Sequence, residues 1–365
     1  MDKRIAILTI NDSNNYGNRL QNYALTECLK AYGKVSTIDC GWPVDSKLKQ
    51  IFIPARSLLD ILKKRVCSFK HFALAADKRK SHRFQYFNNK YGLNVACKVS
   101  KAGHISPSLR FDFIVLGSDQ VWNYYWISKS GLRLRLGAFS SDQVPTISYA
   151  ASFGVSHVTD DVMPIFQQYL PRLKAISVRE DCGVELVKEM TGLEAAVVLD
   201  PTLMLTADKW LDVTENFVSD NDSYVLTYFL GNLTDKQEHD IQAYAVKRGC
   251  HVRRMLDLRD RATYVAGPQD FVELFAKAQY VFTDSYHACC FSILFHKQFT
   301  VFNRAGMTGN ANMNSRMETL FRLFNLNSVM MDSGLAPEID YKKVDQLLEQ
   351  HRKESQEWLD RAMKE

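Results

Sequence analysis

No stretch of the 365-residue sequence approaches the roughly 18 uninterrupted apolar residues of a membrane span. The first apolar run, Arg4-Ile5-Ala6-Ile7-Leu8-Thr9-Ile10, lacks the basic start, longer apolar core and small-residue cleavage site of a signal peptide, so a cytoplasmic location is expected. The eight cysteines are scattered and form no CxxC pair, and Cys289 and Cys290 stand side by side in an apolar run. That usage argues against a disulfide framework or a zinc site and for buried free thiols. Internal repeats, low-complexity tracts, a GxGxxG fingerprint and a P-loop are all missing. The aromatic-interleaved stretch Arg83-Phe84-Gln85-Tyr86-Phe87 hints at nucleic acid, but no recognised nucleic-acid motif accompanies it. No cluster of metal ligands is visible, and neither a metal nor a cofactor is expected.

What is present is an ordinary globular composition, 46% hydrophobic and 24% charged, in a chain long enough for two cores. The net charge of +5 is unevenly spread: residues 45–104 carry +11 and the remainder −6. Such a zone suits an anionic partner, and Leu58–Val66 within it reads as an interfacial amphipathic helix; a solvated helical face is the alternative.

Short apolar runs alternate with helix-period stretches. Strands are expected at Arg4–Ile10, Val35–Asp39, Asp112–Leu116, Thr146–Ala150, Ala175–Val178, Tyr224–Leu230, His251–Met255, Tyr280–Thr283 and Phe299–Phe302. Several are apolar throughout, as in strands covered on both faces. Leu20, Ala24, Cys28 and Ala31 share one helical face, and Phe271, Leu274, Phe275 and Ala278 share another, behind Gly267-Pro268. Residues 341–364 read as one long helix or two. The pattern implies an α/β protein of two doubly wound parallel-sheet lobes. An N-terminal lobe (1–205), a C-terminal lobe (206–340) and a closing helix (341–365) follow from the polar stretch after Asp200-Pro201-Thr202.

In open parallel sheets, ligands bind where strands turn into helices. Asn14-Asn15-Tyr16-Gly17-Asn18 opens a helix and can cradle an anion, or simply cap that helix. Gly117-Ser118-Asp119-Gln120-Val121-Trp122-Asn123 combines polar side chains with an aromatic face, as sugar sites do, or is a capped helix start with a core tryptophan. Ser148–Gly154 offers small residues for close approach or tight packing. Arg179 arrives at the end of a strand as a fork for carboxylate or phosphate, or as an ion-pair partner of Glu180 or Asp181. In Thr283-Asp284-Ser285-Tyr286-His287, the histidine opens an apolar helix and can act as acid and base near neutral pH. Arg304 and Arg316 are further anion clamps or surface charges.

These segments, in this order from about residue 4 to about 325, resemble the polysaccharide pyruvyl transferase family. The shared set comprises the Asn-Tyr-Gly-Asn loop with Leu20-Gln21, Gly117–Asn123, Ser148–Gly154, Ser177–Glu180, Leu199–Thr202, Tyr228–Leu230, Thr283–His287 and Asn314–Arg316. The resemblance implies a fold like the two-lobed (GT-B-like) glycosyltransferases, with the active site in the interlobe cleft. It implies transfer of a pyruvyl group from phosphoenolpyruvate to two hydroxyls of a hexose, free or lipid-linked, giving a pyruvate ketal in a surface polysaccharide. His287 would be the acid/base group. Arg179, Arg304, Arg316, Ser285, Asn15, Gly17 and Asn18 would hold the donor, and Ser118, Asp119, Gln120, Trp122 and Asn123 the acceptor. One departure stands out: Ser285 occupies a position where many members carry arginine. Lipid-linked acceptors would bring the basic segment 45–104 against the inner leaflet. A nucleotide-sugar glycosyltransferase and an inactive sugar-binding relative are the competing readings.

Overall fold

The computed structural model describes residues 3–12, 14–39, 69–99, 110–141, 143–303 and 314–364. The first lobe runs β1 (Arg4–Leu8), α1 (Tyr16–Leu29), β2 (Lys34–Asp39), α2 (Phe69–Lys90), β3 (Val95–Lys98), β4 (Phe113–Asp119), α3 (Lys129–Arg135), β5 (Thr146–Ala151), α4 (Met163–Tyr169), β6 (Ser177–Val178), α5 (Asp181–Thr191) and β7 (Ala196–Val197). Two short helices, α6 (Pro201–Met204) and α7 (Ala207–Leu211), lead across. The second lobe runs β8 (Tyr224–Tyr228), α8 (Asp235–Lys247), β9 (His251–Met255), α9 (Arg261–Tyr264), α10 (Pro268–Lys277), β10 (Tyr280–Thr283), α11 (Tyr286–Leu294), β11 (Phe299–Phe302), α12 (Asn314–Phe324) and β12 (Met330–Met331), followed by α13 (Tyr341–Met363).

Both sheets are parallel, with orders β3-β2-β1-β4-β5-β6-β7 and β12-β11-β10-β8-β9. This is the doubly wound, two-lobed α/β architecture expected of the chain. The central strands β1, β4, β5, β8 and β10 show little or no exposure along their length, apart from Arg4. Their largely apolar character follows from helices covering both faces. In the first sheet the strand order reverses between β1 and β4, and in the second between β8 and β10. A crevice forms at each reversal because the flanking connections leave for opposite faces.

Helix α1 departs from the one-faced expectation. Twelve of its fourteen residues are buried, and Ala31 lies beyond its end and is exposed. Leu25 and Leu29 join the core under β1 and β4, while Tyr16, Leu20, Tyr23 and Ala24 pack with residues of the second lobe. A helix wedged between two bodies needs apolar surface on both sides, and its polar residues need partners. Gln21 Nε2 bonds Thr9 Oγ1 at 2.7 Å, and Asn22 Nδ2 bonds Thr37 Oγ1 at 3.1 Å. Helix α13 is single and spans both bodies: Val344 and Leu348 sit in the core of the second lobe, Leu359 and Met363 in that of the first.

The described part of the basic segment is less free than its composition suggests. Arg83 forks onto Asp270, Lys90 pairs with Glu215 at 2.6 Å, and Lys80 lies buried over the Tyr16 ring at 4.8 Å. Three of its cations therefore tie α2 to other parts of the fold. The amphipathic stretch Leu58–Val66 lies outside the described residues. Among the described residues, no helix is long and apolar enough to cross a membrane.

Candidate active site in the interlobe cleft

The connections at the two sheet reversals face each other across one cavity of about 370 Å³. From the first lobe come Asn15 and Gly17, after β1, and Asp119 and Gln120, at the end of β4. From the second come Tyr228 and Leu230, at and after β8, and Asp284, Ser285, Tyr286 and His287, after β10. Val301, Phe302 and Asn303, together with Arg316, Met317 and Met330, complete the lining.

His287 is the second residue of α11. Its ring rests on Gly17: a Cβ placed there would lie 2.2 Å from Nδ1 and 2.6 Å from Cε1. Only a residue without a side chain lets α1 pass that close. Nε2 is enclosed, has no hydrogen-bond partner, and lies 3.8 Å from Asp200 Oδ2. Burial pushes the imidazole below its ordinary pKa, against the pull of Asp200 and Asp119, and Arg179 and Arg316 add to the depression.

Beneath the cavity lies a buried charge network. The Arg179 guanidinium spans Asp119 Oδ1 at 3.0 Å and Asp200 Oδ2 at 2.7 Å, 4.3 Å from the centre of the Tyr286 ring. Asp119, in a left-handed backbone conformation (φ 64°), also accepts from Asn18 Nδ2. Burial alone would raise its pKa, but Arg179, His287 and Arg316 outweigh it and hold the carboxyl at about 2. Arg316, mostly buried, reaches to 3.8 Å from Asp119 Oδ1 while lining the cavity. Gln120 bridges this rim. With its amide oxygen toward Arg316 it accepts from both Nη atoms at 3.2 Å; in the opposite orientation it accepts from Asn123 Nδ2 at 2.7 Å.

Several expected contacts are corrected by this geometry. Arg179 does not line the cavity; it is wholly enclosed, and its charge is engaged by Asp119 and Asp200 rather than by Glu180 or Asp181. Ser118 is buried on β4, its hydroxyl directed at Asp200 at 3.3 Å. Asn18 is likewise enclosed and serves Asp119. Trp122 offers no face to a sugar: its ring packs on Phe153 and its Nε1 donates to the Arg135 carbonyl at 3.2 Å. Asn123 is buried and caps the turn Tyr124–Trp126. Of the Ser148–Gly154 stretch, Gly154 packs against Gln120, and Ser152 bonds Glu180 Oε1 at 2.9 Å, so tight packing is its role. Arg304 lies outside the described residues. Asn15, Gly17, Asp119, Gln120, Ser285, His287 and Arg316 do meet at the cavity. Asp284 lines it too, but its carboxylate binds the N–H groups of Leu230 and Gly231 at 2.7 Å each and so shapes the turn after β8.

Sequence reading does not single out Asp200 or Tyr286 as site residues. Asp200 caps α6 just before Pro201 and reads as a domain boundary, and its path to His287 crosses the interlobe space. Among the described residues, no group of three or more His, Cys, Asp or Glu is placed to hold a metal.

The enclosed Trp122 yields a direct test. Trp122→Phe is expected to cost about 1–3 kcal/mol of unfolding free energy, through a lost hydrogen bond and a small cavity. Acceptor KM is expected to stay at the wild-type value. Denaturant unfolding and steady-state kinetics measure the two, and a raised KM with unaltered stability would restore the tryptophan to the sugar.

A family model described as "Polysaccharide pyruvyl transferase" matches residues 15–306. No curated protein matches. Solved structures with related architecture include a UDP-N-acetylglucosamine 2-epimerase from Neisseria meningitidis bound to UDP-GlcNAc, at 9% identity and TM-score 0.45 over 95% of this chain and 100% of that one. Another is a UDP-N-acetylglucosamine 2-epimerase from Rickettsia bellii, at 8% identity and TM-score 0.41 over 97% and 88%. A third is a UDP-glucosyltransferase from Polygonum tinctorium, at 10% and 0.41 over 100% and 98%. Likeness at this level transfers neither activity nor substrate.

Proposed function

Since the chain belongs to the polysaccharide pyruvyl transferase family, we propose that it moves a pyruvyl group from phosphoenolpyruvate onto two hydroxyls of one hexose, forming a cyclic ketal and releasing phosphate. The supporting observation is the convergence on one cleft of a buried histidine, the Arg316 guanidinium and the N-terminal ends of α1 and α11. Phosphoenolpyruvate carries both a phosphate and a carboxylate. Each helix end contributes roughly half a positive charge and outward N–H groups, and Ser285 leaves the first turn of α11 without a side-chain cap. Those N–H groups, with Arg316, supply the grip that Ser285 cannot provide as a cation.

The bond changes balance as follows. The C=C pair of phosphoenolpyruvate takes a proton at the methylene carbon, with His287 as donor. A sugar hydroxyl oxygen bonds the adjacent carbon and passes its proton back to the now neutral His287. Phosphate then leaves with the C–O pair, and the second hydroxyl closes the ring, its proton passing to phosphate. Phosphate is already a good leaving group, so the reading needs no cofactor. Burial disfavours the imidazolium, but the donor's negative charges reverse the local field and favour it. Acceptor contacts fall to Gln120 and Asp119 on the rim. Contact with an anionic inner leaflet, in a cytoplasmic enzyme with a lipid-linked acceptor, would fall to the part of segment 45–104 that does not anchor α2.

The test is incubation with phosphoenolpyruvate and a panel of galactosyl, glucosyl and N-acetylmannosaminyl acceptors, free and lipid-linked. Phosphate release matched by an acceptor mass gain of one pyruvyl unit is expected. Stabilisation by UDP-sugars but not by phosphoenolpyruvate, without turnover, would overturn the reading in favour of a glycosyltransferase.

A further inference from the structure

We propose that Asp200 is the positioning residue for His287: it holds the Nε2–H of the imidazole from the opposite lobe, so that Nδ1 is the nitrogen that exchanges a proton with substrate. This rests on the proposed role of His287 and adds which atom acts and what orients it. The two nitrogens stand in different surroundings. Nε2 is enclosed and unpartnered, with Asp200 Oδ2 3.8 Å away, while Nδ1 lies over Gly17 at the cavity wall.

The carboxylate is well placed to fix the ring because it cannot turn away. Its Oδ1 accepts from the Thr202 N–H at 3.0 Å and the Thr202 hydroxyl at 2.7 Å. Its Oδ2 accepts from Arg179 Nη1 at 2.7 Å and from the Ser118 hydroxyl at 3.3 Å. Asp200 has no exposed surface, and burial, which would favour its neutral form, is outweighed by His287 and Arg179. An acceptor-only group facing Nε2 selects the tautomer that carries its hydrogen there and leaves a lone pair on Nδ1. The other charged groups that face the ring are Asp119, Arg179 and Arg316, with Tyr286 as a neutral neighbour at 5.5 Å between ring centres. Arg179 engages both acids, and among the described residues it is Asp200 whose oxygen lies within 4 Å of a nitrogen of this imidazole. At 3.8 Å the pair is a charge contact. A small closure of the second lobe onto the first would make it a hydrogen bond, as catalytic contacts often tighten when substrate binds.

The experiment is nitrogen NMR of ligand-free protein labelled with ¹⁵N in the histidine rings, with His287→Gln used to assign the signal. At neutral pH, Nε2 of His287 is expected to carry the hydrogen and Nδ1 to show the shift of a bare imidazole nitrogen. The reverse tautomer in the wild-type protein overturns the proposal. In Asp200→Asn, the pH above which kcat/KM falls should move lower by roughly one unit or more, since a negative charge near the ring is lost. An unmoved profile in a folded variant also overturns it. Should that variant fail to fold, the wild-type tautomer still decides. The tautomer is read without turnover, so failure of the pyruvyl-transfer reading and failure of this one are separately visible.

Discussion

His287→Gln is expected to lower kcat for pyruvyl transfer by roughly 10²–10⁴-fold, the range attributed to one positioned acid/base group. Glutamine preserves bulk and a polar tip but cannot hold a transferable proton. Nε2 of the wild-type imidazole has no hydrogen-bond partner among the described residues, so the unfolding midpoint and the KM for phosphoenolpyruvate should stay near wild type. The pH profile distinguishes an acid from a merely structural ring. Burial holds His287 below its ordinary pKa, which favours the neutral ring near pH 7. If its protonated form delivers the proton, kcat/KM falls as pH rises through that depressed pKa. In the donor complex, the anionic substrate raises the pKa, and the corresponding limb of kcat appears at higher pH. Donor binding near neutral pH should then take up a fraction of a proton, which calorimetry in buffers of different ionisation enthalpy detects. In His287→Gln the limb and the proton uptake should vanish together. A kcat within tenfold of wild type, with the limb retained, would remove His287 from the chemistry.

How much of this was legible beforehand depends on what kind of information each feature needs. The strands Tyr280–Thr283 and Phe299–Phe302 are readable to the residue because each is a short apolar or β-branched run between turn signals. β3, β7 and β12 are not, because strands of four, two and two residues with half-exposed side chains carry no periodic signal. The turns that form the cleft were also readable, since the end of a parallel strand is a position along the chain. Side-chain direction was not. Arg179 and Trp122 occupy the expected turns, yet both point inward, because Asp119 and Asp200 capture the one and Phe153 packs on the other. Those partners are distant in sequence, and no local pattern announces them. Asp200 shows the same limit from the other side: a helix-capping aspartate before proline looks like punctuation until the second lobe brings His287 to it.

Gly17→Ala should be the most damaging conservative substitution in the cleft, with kcat reduced by about 10²-fold, the penalty attached to misplacing a catalytic group by about 1 Å. Gly17 is the second residue of α1, and alanine inside a helix is ordinarily favoured over glycine by roughly 0.5–1 kcal/mol. Helix propensity alone therefore predicts a slightly more stable protein. Contact geometry predicts the opposite. The new methyl would sit 2.2, 2.6 and 2.8 Å from Nδ1, Cε1 and Cγ of His287, inside any permissible contact. The ring cannot retreat freely, because its far edge faces Asp200, which four hydrogen bonds hold in place. Helix α1 cannot retreat either, since it is packed on both sides between the lobes. Overpacking of this kind costs about 1–3 kcal/mol, enough to outweigh the propensity gain. Urea unfolding should show a net loss of stability, and turnover should fall through kcat. For the stability measurement Asn15→Ala serves as the control: it removes a helix cap, worth about 0.5–2 kcal/mol, from the same turn without placing an atom against the ring. If Gly17→Ala were more stable than wild type and fully active, His287 would not rest against α1 in the working enzyme, and the interlobe placement of the proton donor would fall with it.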